Sequence, residues 1–116
     1  MEFIGLLSSG REKWGQISGL MKQGDWDKII LLGNSSAKDF NSEKKFQFIQ
    51  VDTSKRLIEL KKEIMEKLKD KIDGTEVALS ISSGDGKEHM ALISALINSP
   101  VGIRFAALTK EGVIDM

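Results

Sequence analysis

Short apolar runs alternate along this chain with longer segments in which apolar residues recur at helical spacing. The runs have the length and the β-branched content of strands, and they cover residues 3–7, 28–32, 46–51, 77–81 and 101–108. Helical spacing marks the segments 14–23, 53–72 and 87–97 between them. This alternation predicts an α/β fold, a three-layer α/β/α sandwich around a mainly parallel sheet.

The last part of the chain predicts a hairpin. Residues 109–112 have the composition of a tight turn, and Val113, Ile114 and Asp115 form a short strand after it. A strand that follows so short a turn pairs antiparallel with the strand before it. We therefore expect a sheet of about six strands with an antiparallel C-terminal edge.

The segment 53–72 carries the clearest helical stripe. We expect Ile58 and Met65 to widen that stripe toward the core. Asp52 or Thr53 is placed to cap the start of the helix, and Gly74 lies where a left-handed residue ends one.

Composition limits the possible chemistry. The 116 residues are enough for one domain, which we expect to span 1–116 with no output segment after it. No apolar run is long enough for a membrane span and no basic leader precedes one, so the expected location is cytoplasmic. Seventeen basic and seventeen acidic residues argue against duplex DNA or a lipid surface as partner. With no cysteine and His89 the only histidine, we expect no metal, no cofactor and no Ser-His-Asp triad.

Small polar residues follow three of the predicted strands. Ser8, Ser9 and Gly10 follow the first strand, Asn34 and Ser35 the second, and Ser82 and Ser83 the fourth. The carboxyl ends of parallel strands lie at one edge of the sheet, where ligands of open α/β sheets bind. We therefore expect these loops to line one crevice.

The loop before the third helix has the composition of a phosphate site. Gly84 and Gly86 permit close backbone approach, the first amides of the helix point outward, and Lys87 adds a full positive charge. A second interpretation stays open. Asp85 and Glu88 have the spacing of a capping box, in which the glycines only shape the turn.

The third helix is apolar on nearly all sides. A chain of this size can cover only one side with its own sheet, so we expect a homodimer to cover the other. The alternative is a helix sunk beneath neighbouring loops. His89, in the first turn, fits a packed or partner-contacting residue better than a catalyst. Trp14 is either a core residue or a platform on which a base stacks.

The segment from Val77 to Ala95, with its Ser82-Ser83-Gly84-Asp85-Gly86-Lys87 loop and the Met- and Ala-rich helix after it, resembles the CARF domain, the CRISPR-associated Rossmann fold. The order of elements extends this likeness over the whole chain as a single CARF-like domain. The resemblance implies a Rossmann-like fold and a homodimer that binds cyclic oligoadenylate across its two-fold axis.

The likeness also assigns roles to residues. Lys87 matches the loop lysine of the family, Gly84 and Gly86 match its loop glycines, and Ser8 or Ser9 matches the small polar residue after the first strand. The chain departs from the family where Asp85 and Gly86 replace a common Gly-Thr pair. An acid beside a phosphate weakens anion affinity unless it caps the helix.

Three functions follow as hypotheses. The first is a metal-independent ring nuclease of antiviral signalling, in which a ribose 2′-hydroxyl attacks the adjacent phosphate. Ser8 or Ser9 would then position the hydroxyl, and Lys87 would stabilise the developing charge. The second is a sensor or regulatory module that binds the same nucleotide without cleaving it. The third is an interaction protein whose loops only cap helices.

Overall fold

The computed structural model describes residues 1–8 and 14–116. The strands are β1 (Glu2–Leu7), β2 (Lys28–Gly33), β3 (Gln47–Gln50), β4 (Glu76–Ser80), β5 (Gly102–Thr109) and β6 (Gly112–Asp115). The helices are α1 (Trp14–Gln23), α2 (Leu57–Leu68) and α3 (Gly86–Ile97), with a 3₁₀ turn at Ser35–Ala37.

These strands form one six-stranded sheet in the order β3-β2-β1-β4-β5-β6. Every neighbouring pair is parallel except β5 and β6, which are antiparallel. The predicted α/β fold with an antiparallel C-terminal edge is therefore confirmed, and the strand order is Rossmann-like. From β1 the chain passes outward to β2 and β3 and then returns to β4 on the other side of β1. The switch point of the sheet consequently lies between β1 and β4.

Helices cover both faces of the sheet. One apolar core joins alternate residues of the central strands, such as Ile4 and Leu79, to α2 and α3. The other joins the residues between them, such as Phe3 and Leu31, to α1. Successive strand residues point to opposite faces, so continuously apolar strands such as β1 and β2 supply both cores.

Helix α2 is shorter than its apolar stripe predicts at both ends. At the start, Asp52 accepts hydrogen bonds from the amide and hydroxyl of Ser54. The carbonyls of Thr53 and Lys55 accept hydrogen bonds from the Lys87 side chain. A turn of this kind competes with helix, and α2 begins at Leu57 without a side-chain cap. The predicted cap by Asp52 or Thr53 was therefore wrong.

The end of α2 also differs from the prediction. Asp70 adopts the left-handed conformation (φ 64°), and no positive φ occurs at Gly74. The Gly74 amide instead donates to the carboxylate of Glu2. The short polar side chain of Asp tolerates the left-handed region better than most residues. Ile58 is 59% exposed and does not widen the buried stripe as expected, whereas Met65 packs against the core.

Among the described residues, no helix has both the length and the apolar character that crossing a membrane requires.

Candidate functional site

The loops after β1 and β4 meet at the switch point. The backbone amide of Ser8 donates a hydrogen bond to the hydroxyl of Ser83 across 2.9 Å. The Ser83 side chain is fully buried, so this hydroxyl belongs to the structure of the crevice rather than to its outer surface. Two of the three hydroxyl-rich loops are thereby in direct contact at the position where open α/β sheets bind ligands. Ser9 and Gly10, the other predicted residues of the first loop, lie outside the described residues.

The loop after β2 lies at the same edge, but its hydrogen bonds lead away from Ser8. The Asn34 side chain accepts from the Ser36 amide and caps the 3₁₀ turn. Its Nδ2 donates to the Thr53 hydroxyl, 3.1 Å away, in the loop after β3. Ser35 is exposed on that turn. Asn34 and Ser35 are therefore placed beside the outer strands.

Trp14 contacts the end of β1 from the side of the sheet that α1 covers. Its indole Nε1 donates to the Ser8 carbonyl across 2.7 Å, and its ring packs edge-to-face against Phe40. Trp14 is buried in the α1 core. Of the two roles that the sequence left open, the structure supports the core residue.

The N-terminus of α3 carries a complete capping box. The Asp85 carboxylate accepts from the Glu88 amide (2.8 Å), and the Glu88 carboxylate accepts from the Asp85 amide (2.9 Å). This is the geometry of the second interpretation of the loop. It also turns the Asp85 carboxylate toward its own helix, which removes the main objection to an anion nearby.

The two glycines of this loop differ. Gly84 has a φ of +104°, and a Cβ there would lie 2.6 Å from Leu6 Cδ2, so both the conformation and the space require glycine. A Cβ on Gly86 would meet no atom of the described residues within 4 Å, and Gly86 has no positive φ. Gly86 is the first residue of α3 and is exposed, so space for a ligand is open beside it.

Lys87 bridges α3 to the loop after β3. Its ammonium donates to the carbonyls of Thr53 (2.7 Å) and Lys55 (2.9 Å) and retains a third N–H. The same loop holds Asp52, whose pKa is lowered by hydrogen bonds from the Ser54 hydroxyl and amide and, more weakly, by the charges of Lys55 and Lys87. Lys87 is thus half-buried and held in place, but its hydrogen bonds lead to the β3 loop and not to Ser8.

His89 supports the turn after β4. Its Nε2 lies 2.8 Å from the Ser83 carbonyl, which only accepts, so this contact assigns the proton to Nε2. The histidine is half-buried and packed, as the sequence favoured. Because its Nε2 is hydrogen-bonded to the Ser83 carbonyl, we do not assign His89 as a general base.

The sequence reasoning missed the carbonyls of Thr53 and Lys55. One available signal was that Thr53 also follows a strand, the third, and so belongs to the same edge as the other loops. Ser82 is exposed, with its Oγ 3.4 Å from that of Ser80. Within the described ranges, no three His, Asp or Glu side chains gather as a metal cluster would.

No family model, curated protein or solved structure matches this chain. The geometry itself defines an α/β protein of Rossmann-like topology in which the loops after β1 and β4 are in contact at the switch point of the sheet. The resemblance to CARF domains stays an interpretation of the residues.

Proposed function

We propose that this protein is a nucleotide-binding module that holds the phosphates of a cyclic oligoadenylate at the β1–β4 crevice of a homodimer. The observation that carries the proposal is the Ser8–Ser83 contact, which closes the two loops of the switch point beside the N-terminus of α3. Crevices of this type are where open α/β sheets bind ligands, and a helix N-terminus favours anions. The choice of cyclic oligoadenylate as the ligand rests on the resemblance to CARF domains.

The first turn of α3 supports an anionic ligand. The first amides of a helix have no acceptor within it, and Asp85 takes that of Glu88. Among the described residues, none accepts a hydrogen bond from the amides of Gly86 and Lys87, and the space beside Gly86 is open. Lys87 forms no ion pair among the described residues, and its positive charge offsets the carboxylates of Asp85 and Glu88 in the same turn.

The homodimer is supported by apolar residues left uncovered beside α3. Met90 is 58% exposed and Ile97 is 67% exposed, although both lie on a helix whose other side is core. Strand register places Ile114, which is 41% exposed, on the same side of the sheet as α3. Because a tight turn joins β5 to β6, no further helix among the described residues covers that area. A second copy would bury these residues.

The contacts of Lys87 favour a sensor over a ring nuclease. A catalytic lysine must reach the charge that develops on the phosphate. Here the ammonium already donates to two carbonyls of the β3 loop. In this proposal Ser8 and Lys87 bind and shape the site, and cleavage of the ligand is the competing outcome.

A charge placed on Gly86 tests the site without disturbing the fold. Gly86→Glu puts a carboxylate at the first position of α3, where the helix dipole tolerates it and where space is open. Gly86→Gln is the control of the same size. We expect calorimetric titration with cyclic tetra-adenylate to show affinity weakened about tenfold or more in Gly86→Glu, which is about 1.4 kcal/mol. Gly86→Gln should retain affinity close to that of the unmodified protein.

Two further readouts complete the test. Light scattering should show a dimer, and chromatography after long incubation with EDTA should recover intact cyclic tetra-adenylate. Recovery of linear products would replace the sensor with the ring nuclease. If neither cyclic tetra- nor hexa-adenylate binds, or if the Glu and Gln variants bind equally, the proposed site is wrong.

A further inference from the structure

A cavity opens where β4 and β5 separate. The two strands pair only as far as Leu79 and Phe105, after which β5 pairs with β6 instead. The Met116 amide donates to the Phe105 carbonyl and extends that second pairing. Between the separated strands lies a cavity of about 420 Å³, open at the carboxyl edge of the sheet.

The walls of this cavity combine apolar surface with a pair of hydroxyls. Ile81, Phe105 and Ala107 supply apolar surface, and the hydroxyls of Ser80 and Ser82 lie 3.4 Å apart on the β4 side. The facing strand edges are no longer joined by the hydrogen bonds of the sheet. A slot of this composition suits a flat heteroaromatic ring, because its faces are apolar and its edge carries hydrogen-bonding atoms.

Gln16 closes one side of the slot and is held rigidly. Its Nε2 donates to the Leu108 carbonyl (3.1 Å) and its Oε1 accepts from the Leu108 amide (2.8 Å). Both ends of this amide are therefore occupied by β5. Gln16 shapes the cavity, and selection among rings falls to the serine hydroxyls and the backbone of the separated strands.

The slot adjoins the crevice. Ser82 lines the slot, and its neighbour Ser83 accepts the hydrogen bond from Ser8 in the crevice. We infer that the slot receives the base of a nucleotide whose phosphate lies at the crevice. This inference rests on the proposed function and adds to it the place where the base is recognised.

The test compares two ligands that share a phosphate and differ in the base. Adenosine monophosphate and ribose 5-phosphate are titrated into the protein while backbone amide resonances are followed by NMR. We expect the base to strengthen binding about tenfold and to shift the amides of Ser82 and Ala107. Ribose 5-phosphate should shift the amides at the start of α3 and leave Ala107 unmoved.

Ala107→Leu fills the slot from a half-buried strand position. It should lower the affinity for adenosine monophosphate to that for ribose 5-phosphate and leave the latter unchanged. The matched control is Val113→Leu, which adds bulk at a half-buried position of β6 outside the slot. Ser82→Ala, at an exposed position, removes one hydroxyl without adding volume and should weaken only the adenosine ligand.

The outcomes separate the inference from the proposed function. Equal affinities for the two ligands in the unmodified protein, or an Ala107→Leu variant that binds adenosine monophosphate normally, would overturn the base slot while the phosphate site stands. If neither compound binds and cyclic tetra-adenylate also fails to bind, the proposed function is overturned and the slot with it.

Discussion

At the amino ends of β1 and β2 charged side chains are paired with one another, whereas at the carboxyl ends of β1 and β4 the side chains of Ser83, Asp85 and Lys87 are hydrogen-bonded to the backbone. The buried Glu2 carboxylate accepts from the amides of Asp73 and Gly74. Lys28 pairs with Asp73 across 2.8 Å, and the hydrogen bond to Asp73 raises the pKa of Lys28. At the other edge Ser8 donates to the Ser83 hydroxyl.

The difference indicates which edge has capacity for a ligand. A cavity of about 510 Å³ also opens at the amino edge, lined by Glu2, Asp27, Lys28 and Asp73. There the ionic groups pair with one another and accept hydrogen bonds from the turn before β4. These interactions join β1 to that turn. At the carboxyl edge the first amides of α3 and the positive charge of Lys87 are not matched by an ion pair among the described residues. The anion site that we propose is therefore placed at the second edge.

The strongest way to break this comparison is to remove the charge that fastens the amino edge. Glu2→Ala leaves the amides of Asp73 and Gly74 and the ammonium of Lys28 without their buried acceptor. We expect the free energy of unfolding, measured by urea denaturation, to fall by about 2–4 kcal/mol. Asp27→Ala, which removes an exposed partner of the N-terminus, should cost less than about 0.5 kcal/mol. A loss in Glu2→Ala no larger than this control would show that the edge is not held by the buried carboxylate.

A smaller effect is expected from the hydroxyl that joins the loops at the carboxyl edge. Ser83→Ala removes the acceptor of the part-buried Ser8 amide without adding volume. The expected cost is about 1–2 kcal/mol in urea denaturation, because one neutral hydrogen bond is lost. Ser82→Ala changes the exposed neighbour and should cost less than about 0.5 kcal/mol. Equal costs in the two variants would remove the Ser8–Ser83 contact from the description of the crevice.

Much of the fold could be predicted because the spacing of apolar residues within a single segment indicates whether it forms a strand or a helix. Helix α1 has the predicted bounds, and the strands differ from prediction by a residue or two at their ends. The bounds of α2 could not be predicted in the same way, since the carbonyls before it accept hydrogen bonds from Lys87, a residue more than thirty positions later. Such contacts depend on which loops the topology brings together.

The candidate site shows the same division. That Ser8 and Ser83 lie together follows from parallel strands with carboxyl ends at one edge, and the role of Gly84 follows from its turn. The partners of Lys87 could not be predicted, because backbone carbonyls are the same at every residue and leave no mark in the sequence. The position of Lys87 in a glycine-bearing loop before a helix predicted a phosphate beside it, whereas its hydrogen bonds lead to the loop after β3.

The smallest expected effect concerns the hydrogen bonds between Lys87 and the loop after β3. The Asp52 carboxyl has a lowered pKa, first because Ser54 donates to it and further because Lys55 and Lys87 lie near. Lys87→Met removes one of these charges and should raise the pKa of Asp52 while leaving it below its ordinary value. Carboxyl-carbon NMR titration measures this directly. Lys110→Met, in the distant β5–β6 turn, removes the same charge from the chain and should leave the Asp52 pKa unchanged.

The sign of the accompanying stability change follows from the direction of the shift. A carboxyl whose folded pKa is depressed contributes stability above its unfolded pKa, and this contribution is lost as the pH falls through the lowered folded value. In Lys87→Met the contribution from Asp52 is smaller at neutral pH, so less stability is lost on acidification than in the unmodified protein. An Asp52 pKa that does not move in this variant would mean that Lys87 does not stay above the β3 loop in solution. The lysine would then be free to face the crevice, and the case for cleavage of the ligand would strengthen.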